Sequence, residues 1–380
     1  MSELKVNSIA GTGASSAAIT IDASDGTATG KFTNIPSRNL IINGDQTISQ
    51  RVVATETTPA NGDYCLDRWK AGLAQAGKWK YQQVTESPDE FTKSIVLTST
   101  SAYTPTSDDH FFLEQLIEGY NAAHLAYGTA SAKTTTLSFW IKSSIGTGTY
   151  GGALSNSAGD RSYVWAVSVT GTGWQRVNVV IPGDTSGTWV KDTGIGLKVR
   201  FNLGNAGTWS ATAGSWGAGN KTGNSANVHL VATSAATLHI TGVQLEVGDV
   251  ATEFEFKRFN DDLRACQRYY CKTYAHATAP GTDTWEDMHG RQSDAGSNSY
   301  AGPGVWYYPG GEMRAKPTCV LYSKDGDTGK INIDNSEGPG TMPAVHQGTK
   351  AMLAYRNNDS TGSSGAGNNI AFHATATAEL

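Results

Sequence analysis

Apolar and polar residues alternate along much of this chain with a period of two, the mark of half-buried β-strands. The longest such run, residues 238–247, reads Leu-His-Ile-Thr-Gly-Val-Gln-Leu-Glu-Val, with Leu238, Ile240, Val243, Leu245 and Val247 apolar. The alternation slips by one residue at Thr241-Gly242, which predicts a bulge where the glycine re-registers the pleat. This run is expected to close a sandwich, and a shorter alternating run, Glu253-Phe254-Glu255-Phe256, follows it. Upstream, strands are predicted over 79–84, 94–97, 111–113, 135–142, 163–169, 175–181 and 196–203. Turn clusters such as Glu86-Ser87-Pro88-Asp89 and Pro105-Thr106-Ser107-Asp108-Asp109 separate them. Asn39-Leu40-Ile41-Ile42-Asn43-Gly44 opens the region with three apolar residues and an Asn-Gly turn signal. Short strands at this spacing, with no long helices between them, predict an antiparallel jelly-roll sandwich over 39–258.

The period changes once. Phe259, Leu263, Cys266 and Tyr270 recur at spacings of four, three and four, which predicts a connecting helix over 259–274 with Asn260 as its N-cap. Asp261 and Asp262 fall in its first turn and Arg264, Arg268 and Lys272 later, an order that complements the helix dipole. Such a helix either lies across the end of the sandwich or packs against symmetry mates as a short neck. Beyond it, 318–322, 330–333, 351–355 and 370–374 resume strand patterns between long Gly/Ser/Asp loops, including 357–369. Residues 275–380 are therefore expected to form a smaller C-terminal β-sandwich domain. Residues 1–38 have strand-like pieces at 4–6 and 18–21, split by Gly11-Thr12-Gly13-Ala14-Ser15-Ser16. With so few apolar residues they cannot close a core, so they are read as a flexible tail or an extended arm that adds strands to a neighbour. The fold class is all-β.

Composition narrows the chemistry. Only 17% of the 380 residues are charged, and 44 are glycine, which suits strands and tight turns. The net charge of −5, with a pI near 5.9, leaves no footprint for nucleic acid or an anionic membrane. No apolar run approaches the roughly 20 residues of a membrane span, and the N-terminus has no secretory-signal pattern. Cys65, Cys266, Cys271 and Cys319 are too scattered for a disulfide framework or a zinc site, and are read as free thiols in a protein folded in a reducing cytoplasm.

Several segments together resemble a family of bacteriophage tail-fibre and related virion-surface proteins. Asn39-Leu40-Ile41-Ile42-Asn43-Gly44-Asp45 resembles the opening strand of carbohydrate-binding jelly rolls. To it are added Leu137-Ser138-Phe139-Trp140-Ile141-Lys142-Ser143, the stretches 181–189 and 240–248, Cys266-Gln267-Arg268-Tyr269-Tyr270, and Met313-Arg314-Ala315-Lys316-Pro317-Thr318. Ser2-Glu3-Leu4-Lys5-Val6-Asn7 is similar to virion-attachment starts of marine phage fibres. The resemblance implies a virion structural protein that assembles as a homotrimer. In it, residues 1–38 attach to other virion proteins and the jelly roll and distal tip face a host surface polysaccharide. Carbohydrate-binding jelly rolls often hold calcium through acids in the opening and closing strands. Here Thr47 and Thr241-Gly242 occupy those places, so no metal or other cofactor is assigned.

A sugar site needs an aromatic platform for pyranose C–H faces beside amides or carboxylates for hydroxyls. Trp209 and Trp216, in the Gly/Ser/Asn-rich stretch 208–227, form one candidate set. Trp285, Trp306, Tyr307 and Tyr308, near Glu286 and Asp287, form the other; Trp140 and Trp165 lie within strand patterns and are read as packing residues. Each aromatic has an alternative role as a cap on the core. The chain carries no His-x-x-x-His pair and no Gly-x-Ser-x-Gly elbow. The acid pairs 108–109, 261–262 and 286–287 read as turns or helix starts rather than a glycosidase dyad. The expected function is non-enzymatic: a phage tail fibre or spike subunit that binds a host glycan during adsorption. The alternatives are a capsid-decorating head fibre without a receptor role, and a capsule depolymerase.

Overall fold

The computed structural model of the chain describes residues 37–52, 55–291, 304–333, 344–355 and 370–380, with short stretches before residue 31. Most of the arm, including 11–16, and the loop at 357–369 lie outside the described residues.

Three short strands, β1 (Ser8–Ile9), β2 (Ile19–Ile21) and β3 (Ala28–Gly30), pair antiparallel in order β1-β2-β3. The sandwich follows with β4 (Tyr64–Leu66), β5 (Trp69–Leu73), β6 (Trp79–Val84), β7 (Ser94–Ser99) and β8 (His110–Glu118). After the single turn of α1 (Gly119–Ala122) come β9 (Thr135–Ser143), β10 (Gly148–Ser155), β11 (Arg161–Val169), β12 (Gln175–Ile181), β13 (Ile195–Asn205), β14 (Trp216–Ala218) and β15 (Thr237–Val247). They form a seven-stranded sheet, β14-β11-β10-β13-β8-β5-β4, and a five-stranded sheet, β12-β9-β15-β7-β6. Every pairing is antiparallel. The inner faces meet in one core, where Phe139 lies 5.0 Å from Phe201 and 5.4 Å from Trp165. The all-β jelly-roll expectation holds.

The slip in residues 238–247 is a real bulge. The β15–β9 register breaks between Thr241 and Gln244, so Leu238 and Ile240 before it and Val243 and Leu245 after it all face the core. Gly242 sits at φ +60°, and a Cβ there would meet Phe91 at 2.7 Å and Trp140 at 2.9 Å. β15 is the last strand of the sandwich in the sequence and the central strand of its sheet. Its outer face is buried as well, because the segment after it folds back. Gln244 donates to the Glu253 carbonyl, and Glu246 accepts from the Thr252 amide and hydroxyl. That segment contains the alternating run 253–256, which is not a strand: Phe254 and Phe256 pack against Phe91 instead.

Other expectations are corrected. Residues 39–44 form no strand; they make a loop in which Leu40 donates to the Leu245 carbonyl and Asn43 adopts φ 57°. The Asn43 amide side chain is spent on the Ile48 and Asp67 carbonyls, so local side-chain bonding replaces a ladder. The helix α2 (Phe259–Gln267) is shorter than its periodicity suggested, with Arg258 rather than Asn260 at its N-cap position and Phe259 exposed. It stops because the residues after it pair with a strand about a hundred positions away. These residues form β16 (Tyr270–Lys272), followed by β17 (His289–Arg291), β18 (Gly304–Tyr307), β19 (Thr318–Tyr322), β20 (Asn332–Ile333), β21 (Ala344–Gln347), β22 (Ala351–Tyr355) and β23 (Ile370–Thr377). β23 pairs with β16, β17, β19 and β20, while β18-β22-β21 make a second small sheet. A separate apolar cluster includes Trp306, Tyr308, Met313, Met352 and Phe372.

Two of the segments that carried the family resemblance lie at the junction between these cores. Arg268 makes a two-pronged ion pair with Glu118, to which the Tyr269 hydroxyl also donates at 2.7 Å. Arg314 donates to the carbonyls of Thr193, Ala378 and Glu379. Glu379 in turn pairs with Arg51 and Arg68 from the sandwich.

Candidate functional site

On β13 the run Leu197-Lys198-Val199-Arg200-Phe201-Asn202 alternates inward apolar with outward polar side chains. The outward set lies on the outer face of the seven-stranded sheet. Register places Lys70 of β5, Glu114 of β8 and Arg200 of β13 in one row across three strands. Phe112 faces Gly72 and Asn202 in the next row, and Lys198 lies on the other side, opposite Leu116 and Ser155. Gly72 is required here: the Phe112 ring occupies the place where a Cβ would stand, 2.1 Å away.

The stretch 206–229 folds down over part of this face. It is held by amides, as its Asn-rich composition permits: Asn202 donates to Asn205, Asn205 to the Ser210 hydroxyl, and the Asn224 backbone N–H to Asn227. The Thr222 N–H donates to the Trp209 carbonyl at 3.0 Å. These bonds hold the half-buried Trp209 ring 4.0 Å from the His110 ring and 6.4 Å from Phe112. Arg200 joins the aromatic group, 4.7 Å above Phe112, and donates to Glu114 at 2.9 Å and to Asn220 at 2.6 Å. Burial lowers the His110 pKa, which favours the neutral ring against Trp209. An aromatic platform, amides and a fixed guanidinium therefore share one rigid face.

The other expected site residues are dispersed. Trp216 sits on edge strand β14 and is half-buried among Tyr127, Tyr163 and Trp189, with its indole N–H donating to the Pro182 carbonyl. It packs onto the core. Trp306 and Tyr308 are 2% and 3% exposed and belong to the second apolar cluster. Tyr307, between them on β18, points the opposite way and is 75% exposed. Trp285 is exposed, with the Lys324 ammonium 5.8 Å from its ring. Trp165 is buried in the main core, whereas Trp140 is half-buried on the outer face of the five-stranded sheet. His110, Phe112, Lys198 and Arg200 were not singled out in the sequence; alternation in β13 separates Lys198 and Arg200 from the core set, whereas β8, with Phe111, Phe112 and Leu113 in succession, does not alternate.

Acidic residues gather elsewhere. A cavity of about 240 Å³ is lined by Asp45, Asp262, Glu255, Lys257, Phe254 and Phe259, among others. Burial, with Asp45 nearby, pushes the Asp262 carboxyl up to about 6 although the Asn43 N–H donates to it. Asp109 is a turn residue, accepting from Tyr103 and Thr106. Ser94, His239 and Glu86 line up at 3.4 and 3.6 Å, yet the Ser94 hydroxyl donates to the Glu86 carbonyl and is fully buried, so it is no nucleophile. Among the described residues no group of three His, Cys, Asp or Glu is placed to hold a metal, and no helix is long and apolar enough to cross a membrane. Cys65, Cys266 and Cys271 are buried free thiols, and Cys319 is partly buried.

No protein-family model matches this chain, and no curated protein does. Solved structures similar to part of it include the enzymatically active domain of bacteriophage CBA120 tailspike protein 4, at 14% identity and TM-score 0.30 over 56% of this chain. The match spans only 22% of that tailspike domain. Another is TmCBM61 in complex with beta-1,4-galactotriose, at 12% identity and TM-score 0.28, covering 56% of this chain and 99% of that one. The N-terminal cellulose-binding domain of Cellulomonas fimi beta-1,4-glucanase C matches at 12% identity and TM-score 0.27, covering 48% and 90%.

Proposed function

We propose that this chain is a non-enzymatic phage virion protein, a tail fibre or spike subunit that binds a host cell-surface glycan. Residues 1–38 serve as the attachment arm, 39–258 as the jelly-roll body, 259–274 as the connector and 275–380 as the distal β-domain, with three copies assembled. The observation that carries the glycan reading is the Trp209 platform. Its ring is backed by His110 and Phe112, flanked by Arg200, Glu114 and Asn220, and anchored by backbone bonds rather than free in a loop. Such a platform loses little entropy on binding a sugar ring. The virion location rests on the sequence resemblance.

The test uses fluorescently labelled full-length protein on cells of the bacterium that the phage infects. The reading expects binding that prior saturation with phage blocks and that Trp209→Ala weakens about tenfold, or about 1.4 kcal/mol. Absence of binding by the assembled protein would exclude it and favour a structural head fibre.

A depolymerase is the second reading, favoured by the cavity that holds Asp45 and Asp262, where a raised carboxyl pKa suits a general acid. It requires release of reducing ends from host polysaccharide and loss of that release in Asp262→Asn.

A further inference from the structure

The outer face of the seven-stranded sheet holds more positive charge than it neutralises. Lys70, Lys198 and Arg200 lie around Glu114, in a chain whose net charge is −5, and Glu118 on the same face is taken by Arg268. Glu114 is already committed to Arg200 at 2.9 Å. Lys221 is held at the Thr208 carbonyl, and the Lys70 ammonium lies 3.4 Å from the Leu380 carbonyl. Lys198 is different. Its half-buried ammonium makes no hydrogen bond or ion pair among the described residues. Burial and the neighbouring Arg200 and Lys70 charges hold its pKa below the ordinary lysine value. Opposite it on β10, the Ser155 hydroxyl is buried without a hydrogen-bond partner among those residues.

A partly desolvated cation beside two others is unfavourable unless something anionic joins it. Lys198 and Asn202 lie on the same strand four residues apart, about 13 Å at strand rise, and the Trp209 platform sits beyond Asn202. We propose that this face takes an anionic polysaccharide, with Lys198 and Lys70 holding a carboxylate, sulfate or phosphate substituent while a neighbouring sugar ring stacks on Trp209. The proposal rests on the glycan-binding reading and adds the charge of the ligand. A lysine ammonium is a compact point charge, so it selects for negative charge rather than for one planar anion.

The experiment compares retention of the full-length protein by alginate, dextran sulfate and neutral dextran at low and raised salt. At least one charged polymer is expected to bind about tenfold or more tighter than dextran, with the advantage shrinking as salt screens it. Preference for alginate assigns a carboxylate, and preference for dextran sulfate a sulfate-like ester. Lys198→Gln is expected to remove most of the preference without lowering the melting temperature, whereas Lys133→Gln, at an exposed position elsewhere, leaves the preference intact. If Lys198→Gln fails to fold, Lys70→Gln serves instead. Equal retention by charged and neutral polymers, or equal loss in Lys133→Gln, overturns the charge proposal while the glycan reading stands. No retention by any of the three overturns the charge proposal. If the protein also fails to bind host cells, the glycan reading falls with it.

Discussion

The guanidinium of Arg68 lies 3.5 Å from the centroid of the Tyr269 ring, and both residues are almost fully buried. Arg68 comes from the tight β4–β5 turn of the sandwich, and Tyr269 from the segment that leaves α2. The contact therefore joins the two apolar cores, and Arg51 repeats it over Tyr270 at 3.8 Å. Glu379 lies between the two arginines and pairs with both.

Breaking a buried pair by removing one partner costs more than the pair contributes, because a charge is left desolvated. Arg68→Ala is therefore expected to destabilise the protein by about 3 kcal/mol or more, the low end of the range for buried pairs because Arg51 still reaches Glu379. Denaturant titration followed by tryptophan fluorescence measures it. A loss below about 1 kcal/mol would mean that the junction is not a stability element.

Gly242 and Gly44 make the bulge possible from two sides. A Cβ on Gly44 would stand 2.2 Å from the Val243 carbonyl oxygen, and one on Gly242 would strike Phe91 and Trp140. Gly242→Ala combines that clash with a left-handed backbone and is expected to cost about 2 kcal/mol or more. Thermal melting checks it, with Gly171→Ala as the comparison: it also has positive φ, but its Cβ would meet nothing within 4 Å, so only the backbone cost applies.

Asp262 should give the fold a recognisable pH dependence. Its folded-state pKa is pushed up to about 6 from an ordinary 3.8, so the fold favours the protonated carboxyl. Between roughly pH 4 and 6 the folded state binds more protons than the unfolded chain. Stability from this group is therefore present at low pH and declines as pH rises through that window, by at most about 3 kcal/mol. Asp262→Asn is expected to remove that slope and to be more stable than the parent above pH 6. Unfolding free energies measured at several pH values decide it, and identical slopes in both proteins would exclude the assignment.

Two tryptophans close in sequence should behave oppositely. Trp216→Ala opens a cavity among Tyr127, Tyr163 and Trp189 and is expected to cost about 3 kcal/mol of stability. Trp209→Ala should instead weaken glycan binding about tenfold with a smaller loss of stability. Paired melting and binding measurements separate them, and the reverse pattern would transfer the platform to Trp216.

The strand pattern is legible in the sequence, because a period of two and a glycine at its slip are local properties of the backbone. Alternation identified β9, β11, β12, β13 and the bulge in β15, but Trp306, Tyr307 and Tyr308 fell in a stretch read as irregular and were grouped as one candidate set; only the structure turns Tyr307 away from the other two. The sequence did not reveal β10, where Gly148, Gly151 and Gly152 dilute the strand signal of Thr149 and Tyr150 and which is a strand because β11 and β13 pair with it on both sides. Nor did it show where α2 ends, since Tyr270 leaves helical geometry to pair with Thr377. The candidate face was decided by tertiary structure alone. Lys70, Glu114 and Arg200 are separated by tens of residues, and only strand order and register bring their side chains into one row. Whether Trp209 or Trp216 packs onto the core depended on which side of the sheet each loop segment reached. Local composition is the same for both, and only the partners across the sheet differ.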